Sequence, residues 1–172
     1  MHRMARTEVL KTVIQPELAD SFLRKHNAVE IKLRRLFGME PDLVAYSAVD
    51  GVLWICEITA SGFLGKGNSN FHVGASRKFC EGFAKFSIVT LKADEAKKHM
   101  SAVVKNPRIA DARLECRFVV PKDSRFIQAL GWRGQLAGTV MRVEEVALSD
   151  HSREQMIEAL LTSRAEQEKQ QR

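Results

Sequence analysis

Two apolar runs, Asp42-Leu43-Val44-Ala45-Tyr46 and Val52-Leu53-Trp54-Ile55-Cys56-Glu57-Ile58-Thr59, flank the dipeptide Asp50-Gly51. That dipeptide is a strong signal for a tight reversal between paired strands. A hairpin closed on it sets position 42 across from position 59, with Glu57 diagonally adjacent and within side-chain reach. Alternation puts Glu57 and Thr59 on one face with Ile55, and Trp54, Cys56 and Ile58 on the other. The second run is apolar on both faces, as a central strand covered on two sides should be. A chain built round such a strand needs helices on both faces, and this one collects two acids, Asp42 and Glu57, at one end of the hairpin.

The remaining segments supply those helices. The spacing of Leu18, Phe22, Val29, Leu33 and Leu36 predicts a helix from Pro16 to Phe37, ended by Gly38; a first strand over Val29 to Phe37 is the competing reading. A Gly-rich loop, Ser61 to Asn70, leads to a helix from about Phe71 or His72 to Ala84, and Phe86 to Leu91 reads as a buried strand. Asp94 to Lys105 is amphipathic, with Ala96, Met100, Val103 and Val104 inward and Asn106-Pro107 as its stop. Residues 112–120 alternate, Leu114, Cys116, Phe118 and Val120 against Arg113, Glu115 and Arg117, as in a half-exposed strand toward a sheet edge. A short helix from Ser124 to Leu130 and a strand from about Gly138 to Val146 follow. A last helix opens at Asp150 or Ser152, where Ser152-x-x-Gln155 resembles a capping box. Its Met156, Ile157, Leu160 and Leu161 form a docking stripe, and residues 164–172 should fray. The expected fold is one α/β domain over residues 1–163, a mixed central sheet containing an antiparallel hairpin with helices on both faces.

Composition narrows the class. A chain of 172 residues can bury a core without staples. No apolar run has the length of a membrane span, and the basic start, Met1 to Arg6, lacks the apolar region of a secretory leader. Cys56, Cys80 and Cys116 are odd in number, widely spaced and set among apolar residues, which fits reduced core thiols and a cytoplasmic location. The net charge of +6 suits a polyanionic partner and equally an ordinary basic surface.

Chemistry is concentrated at the hairpin. Two or three acids there could hold Mg²⁺, which takes a few carboxylates and keeps several waters; the plainer reading leaves Asp42 and Glu57 separately solvated. The Gly-rich loop fails as a P-loop, because Ala60 and Gly67 stand where Gly and Ser or Thr are required. His2, His26, His72, His99 and His151 show no metal spacing; His26 reads as a packing histidine, and His72 lies near the proposed site. Trp54 reads as core. Trp132, beside Arg133, either stacks on a base or is buried under a neighbouring helix. Arg108, Arg113, Arg117, Lys122, Arg125 and Arg133 concentrate positive charge in the second half, interleaved with Asp111, Glu115 and Asp123.

Pro41-Asp42, the hairpin, and Glu57-Ile58-Thr59 together resemble the PD-(D/E)xK nuclease-like superfamily over roughly Pro16 to Leu91. The resemblance implies a leading helix, the acid hairpin, a helix and a further strand, a restriction-endonuclease-like core. It implies Mg²⁺ or Mn²⁺ held by Asp42 and Glu57, with Glu30 of the leading helix as an added ligand. The chain departs at Thr59, where the motif has lysine. Some members carry that lysine on the following helix, which makes Lys78 the candidate and Lys66 in the preceding loop the second. Helical spacing of Lys78, Glu81 and Lys85 offers the plain alternative of an exposed ion-pair stripe. The implied function is divalent-metal-dependent phosphodiester hydrolysis on nucleic acid, DNA or RNA. The alternatives are an inert nuclease-like fold that binds nucleic acid, or a protein-interaction subunit or homo-oligomer docking through the C-terminal helix.

Overall fold

The computed structural model describes residues 6–60, 73–122 and 130–170. Five strands form one mixed sheet in sequential order: β1 (Val29–Glu30), β2 (Leu43–Ser47), β3 (Val52–Ile58), β4 (Arg113–Pro121) and β5 (Arg142–Val146). The first three strands pair antiparallel, and β4 and β5 continue parallel to β3. Every residue of β3 is buried, as its two-sided apolar sequence requires. The α/β class, the central hairpin and the flanking helices therefore agree with the sequence reading.

The leading helix starts earlier and stops sooner than its periodicity predicts. It runs as α1 (Arg6–Val9), a π-helical turn (Leu10–Ile14) and α2 (Gln15–Lys25). Pro16 has no N–H to return to the previous turn, and the wide turn before it, with Gln15 N–H donating to Leu10 O, accommodates that loss within a continuous helix. Asn27, at φ +45°, ends the element; Val29 and Glu30 then pair with Tyr46 and Ala45, so the competing strand reading holds for those two residues. Gly38 does not end a helix. Phe37 and Gly38, both at positive φ, form a tight reversal closed by mutual backbone bonds of Leu36 and Met39.

The hairpin register also differs from the prediction. Ser47 pairs with Val52, so the loop has four residues, and Leu43 faces Cys56. Ser47 Oγ donates to Asp50 Oδ2 at 2.9 Å and accepts from the Asp50 N–H at 3.2 Å, which builds a wider turn ending at Gly51 (φ +63°). A two-residue primed turn would need positive φ at Asp50 as well. The shift is by two positions, so no side chain changes face. Asp42 now stands in line with Glu57 itself.

Helix α3 (Val73–Leu91) absorbs the segment Phe86 to Leu91 that reads as a strand. Phe79, Phe86 and Val89 are buried at helical spacing, and this longer period outweighs the short apolar run. Helix α4 (Ala93–Val104) buries Ala96 and Met100, while Val103 and Val104 are exposed. Strand β4 is the fourth of five rather than an edge. Arg113 stays exposed, but the rest of the strand's polar face turns toward α2: Glu144 of β5 accepts from His26 at 2.6 Å and Arg117 at 3.1 Å and pairs with Lys25 at 2.8 Å. His26 packs between Phe22 and Trp54, at ring separations of 4.4 and 4.7 Å. The predicted helix over Ser124 to Leu130 lies outside the described residues except for Leu130.

Helix α5 (Asp150–Gln170) packs on α1 and the π-helical turn and continues to Gln170, beyond the predicted fraying point. Met156 is buried and Leu160 partly so, whereas Ile157 and Leu161 stay exposed; the inner part of the docking stripe is spent within the chain. Its cap is not the Ser152–Gln155 box. Ser149 Oγ accepts from the Ser152 N–H at 3.3 Å, and the Ser149 N–H donates to Glu17 Oε1 of α2 at 2.6 Å. Ser152 Oγ donates to the other Glu17 oxygen. The carboxylate that completes the cap thus arrives from another helix, where it also meets the positive helix end.

Burial works to raise the Glu17 pKa, but these hydrogen bonds outweigh it and hold the carboxyl below its ordinary value. A depressed folded-state value contributes stability above the unfolded value, which is lost as pH falls through the folded one. Glu17→Ala should lower unfolding free energy by about 1–2 kcal/mol at pH 7, with the difference shrinking below pH about 4. Urea melts of both proteins across that range measure this.

Candidate functional site

The site forms where β3 ends, beneath α3. Cross-strand pairing sets Asp42 beside Glu57, and α3 crosses above them. Gly82 lets the helix approach closely: a Cβ there would lie 3.3 Å from the Phe118 ring and 3.5 Å from Glu57 Cγ. Phe79 meets the same ring edge-on at 5.1 Å. One turn to either side of Gly82, Lys78 and Lys85 reach down to the strand ends.

Asp42 Oδ2 accepts from the Ile58 N–H at 2.7 Å and lies 2.9 Å from Lys78 Nζ. The same ammonium donates to Ile58 O at 2.5 Å, and Gln15 Nε2 of α2 donates to that carbonyl at 3.3 Å. Lys85 Nζ donates to Glu57 Oε1 at 2.8 Å and to Glu40 O at 3.2 Å, fastening the segment that enters β2 to the end of β3. The Glu57 side chain is 3 % exposed, against 33 % for Asp42 and about 30 % for each lysine. The cluster thus has a dry end at Glu57 and a wet end at Asp42.

Four residues singled out from the sequence can be placed here. Asp42 and Glu57 come together. Lys78 joins them, so it is not part of an exposed stripe; Glu81 instead pairs with Arg77 at 3.2 Å. Glu30 does not join. It stands across from Ala45, an odd number of residues from Asp42 and so on the other face, and its carboxylate takes Lys32 at 2.5 Å. Lys66, the Gly-rich loop and His72 lie outside the described residues. Thr59 is buried and extends the pairing, its N–H donating to Val119 O at 3.1 Å.

Sequence reasoning missed Lys85 and Gln15. The signal for Lys85 was present: Lys78 and Lys85 precede the buried Phe79 and Phe86 at the same seven-residue spacing, along one edge of the buried helical face. Gln15 carried none, because its contact depends on how α2 crosses the sheet. Cys80 departs from expectation, and Trp132 takes the exposed one of its two readings. Cys80 is exposed, whereas Cys56 and Cys116 are buried as expected. Trp132 is 66 % exposed, with the Arg133 guanidinium 4.9 Å from its ring centre.

The oxygens that could hold a divalent cation are the carboxylates of Asp42 and Glu57 and the carbonyl of Ile58. Among the described residues no three His, Cys, Asp or Glu side chains gather as a metal group. Two carboxylates and a carbonyl still match Mg²⁺ or Mn²⁺, hard ions that retain waters. Lys78 Nζ, on two of these oxygens, marks where they accept positive charge.

Burial pushes the Glu57 pKa up, and neighbouring Asp42 adds to it; Lys85 and Lys78 oppose but do not cancel the rise. A raised folded-state value means the native chain holds this proton longer than the unfolded one. Stability from this group therefore falls as pH climbs upward from the unfolded value near 4.5. Glu57→Gln keeps an acceptor for Lys85 and removes the buried charge, so its melting temperature should exceed the parent's at pH 7 by a few degrees, on the scale of about 1 kcal/mol. The gap should close toward pH 4, and a gap independent of pH in calorimetric scans would contradict the assignment. No family model, curated protein or solved structure matches this chain, so the use of the site rests on its own geometry.

Proposed function

We propose that this chain is a nuclease-like domain that hydrolyses phosphodiesters of nucleic acid with Mg²⁺ or Mn²⁺ at Asp42 and Glu57. The observation that carries the reading is the Lys78 ammonium, delivered from α3 onto Asp42 although position 59 is threonine. The order of elements supports it: leading helix, acid hairpin, the helices α3 and α4, then a strand parallel to the hairpin's second strand. The site also lies at the carboxyl end of β3 beside parallel β4, where sheets of this kind commonly bind ligands.

Each side chain has a distinct task in this reading. A bound cation supplies Lewis-acid stabilisation and an activated water. Asp42, at the wet end, and Glu57, at the dry end, would hold the cation. Lys85 counters the burial of Glu57 with a hydrogen bond and a positive charge and holds Glu40, and thereby the approach to Asp42, against the end of β3. Lys78, partly exposed, is free to move its ammonium to a phosphate oxygen while staying beside Asp42. The exposed Trp132 with Arg133 offers a surface for stacking an unpaired base. The buried and exposed free thiols suit the reducing cytoplasm, and no helix among the described residues is long and apolar enough to cross a membrane.

One observation favours a second reading, an inert relative that binds nucleic acid or a protein partner. Two ammonium groups already balance the two carboxylates, so the cluster is electrically complete without a cation. Cleavage of plasmid and of labelled single strands with Mg²⁺ or Mn²⁺ separates the two. Under the first reading Asp42→Ala, Glu57→Ala and Lys78→Met each lower the rate on the order of 10²–10³-fold or more. Undiminished cleavage in both acid variants would sink it. Salt-sensitive binding without turnover in the parent chain selects the second.

A further inference from the structure

Strand β4 is longer than its neighbour. It spans Arg113–Pro121, but β5 pairs only from Arg117 onward. The Arg113 N–H donates to Gly51 O at 2.8 Å and Val119 O accepts from the Thr59 N–H at 3.1 Å. Odd-numbered main-chain groups of β4 therefore turn toward β3 and even-numbered ones toward the outer edge. Cys116 O on that edge takes Arg117 Nη1 at 3.2 Å. The Leu114 N–H and C=O and the Cys116 N–H point where no strand lies opposite among the described residues.

That open edge forms the wall of a cleft of about 370 Å³, closed on the far side by the chain leading into β5, Gly138 to Met141. Leu114, Cys116, Thr139 and Val140 give it a mixed lining, and Arg113 and Arg142 stand among its walls. Its one acid, Glu115, is occupied by Arg113 and Arg117. The Arg142 guanidinium, by contrast, has no ion-pair or hydrogen-bond partner among the described residues, although the main chain of Arg142 pairs in the sheet. The cleft thus has unused ladder groups and a surplus of positive charge.

We propose that this cleft binds an extended acidic peptide segment, which adds as a short strand to Arg113–Cys116 and sets a carboxylate on Arg142. Four strand residues make an edge of roughly 13 Å, room for three or four residues of an added strand. Main-chain hydrogen bonds would provide the register and the arginines the preference for acidic side chains. The site is separate from Asp42 and Glu57 and does not depend on their chemistry.

The test uses the full chain and the peptide acetyl-Val-Glu-Val-Glu-Val-amide, with a lysine-for-glutamate version as control. The acidic peptide should bind, and at saturation amide exchange at Leu114 and Cys116 should slow by roughly tenfold or more. Arg142→Glu, a change at an exposed position, should weaken binding by roughly tenfold, and the lysine peptide should not compete. The proposal is overturned if the acidic peptide fails to bind, or binds Arg142→Glu equally well. It is also overturned if the peptide or inorganic phosphate binds while both amides exchange unchanged, since that describes an anion held by arginine alone.

Discussion

The carboxylate of Glu57 lies almost wholly out of water at the end of the central strand, and the surrounding structure follows from that placement. A buried charge is tolerable only with a counter-charge and hydrogen bonds at hand. Lys85 provides both and ties α3 to the sheet and to Glu40 at once. The same helix carries Lys78 to Asp42. A requirement of electrostatics at one atom thereby fixes the position of a 19-residue helix over the hairpin.

The opposite face of the sheet solves a similar problem in another way. Burial works to raise the Glu144 pKa, but hydrogen bonds and charge from Lys25 and His26 outweigh it and hold the carboxyl below the ordinary range. Arg117 completes the set from the neighbouring strand. Glu57, with one strong partner and an acid beside it, sits on the other side of that balance. The two carboxylates illustrate how burial and partner count together decide the sign of a shift: Glu57 is the more buried and the less partnered. Fully compensated Glu144 fastens α2 to the sheet, and incompletely compensated Glu57 keeps a costly charge where chemistry would use it.

What the sequence made legible was set by how local the cause is. The two-sided apolar run of β3, the alternation of β4 and the inward Ala96 and Met100 are patterns of near neighbours, and they held. Phe86 to Leu91 misled because six apolar-rich residues fit either period; the tie was broken by Phe79, a full two turns upstream. The hairpin register turned on the Ser47 hydroxyl, which Asp50-Gly51 alone does not reveal. Within the cluster, the meeting of Asp42 and Glu57 was readable from spacing, and Lys78 entered only as what a family resemblance implied. Lys85, Gln15 and the Glu17 cap depend on which helix crosses which strand, and a linear sequence carries that information only weakly.

Gly82 gives the site a further property. With a phenyl ring 3.3 Å from where its Cβ would be, the helix backbone rests directly on Phe118. Lys78 and Lys85 hang from the same helix on either side of that contact, so a displacement of the helix carries both. Anything that lifts α3 at its midpoint withdraws both ammonium groups together and leaves two acids facing one another. Toward a displacement of α3 the two ion pairs therefore respond together, as one latch.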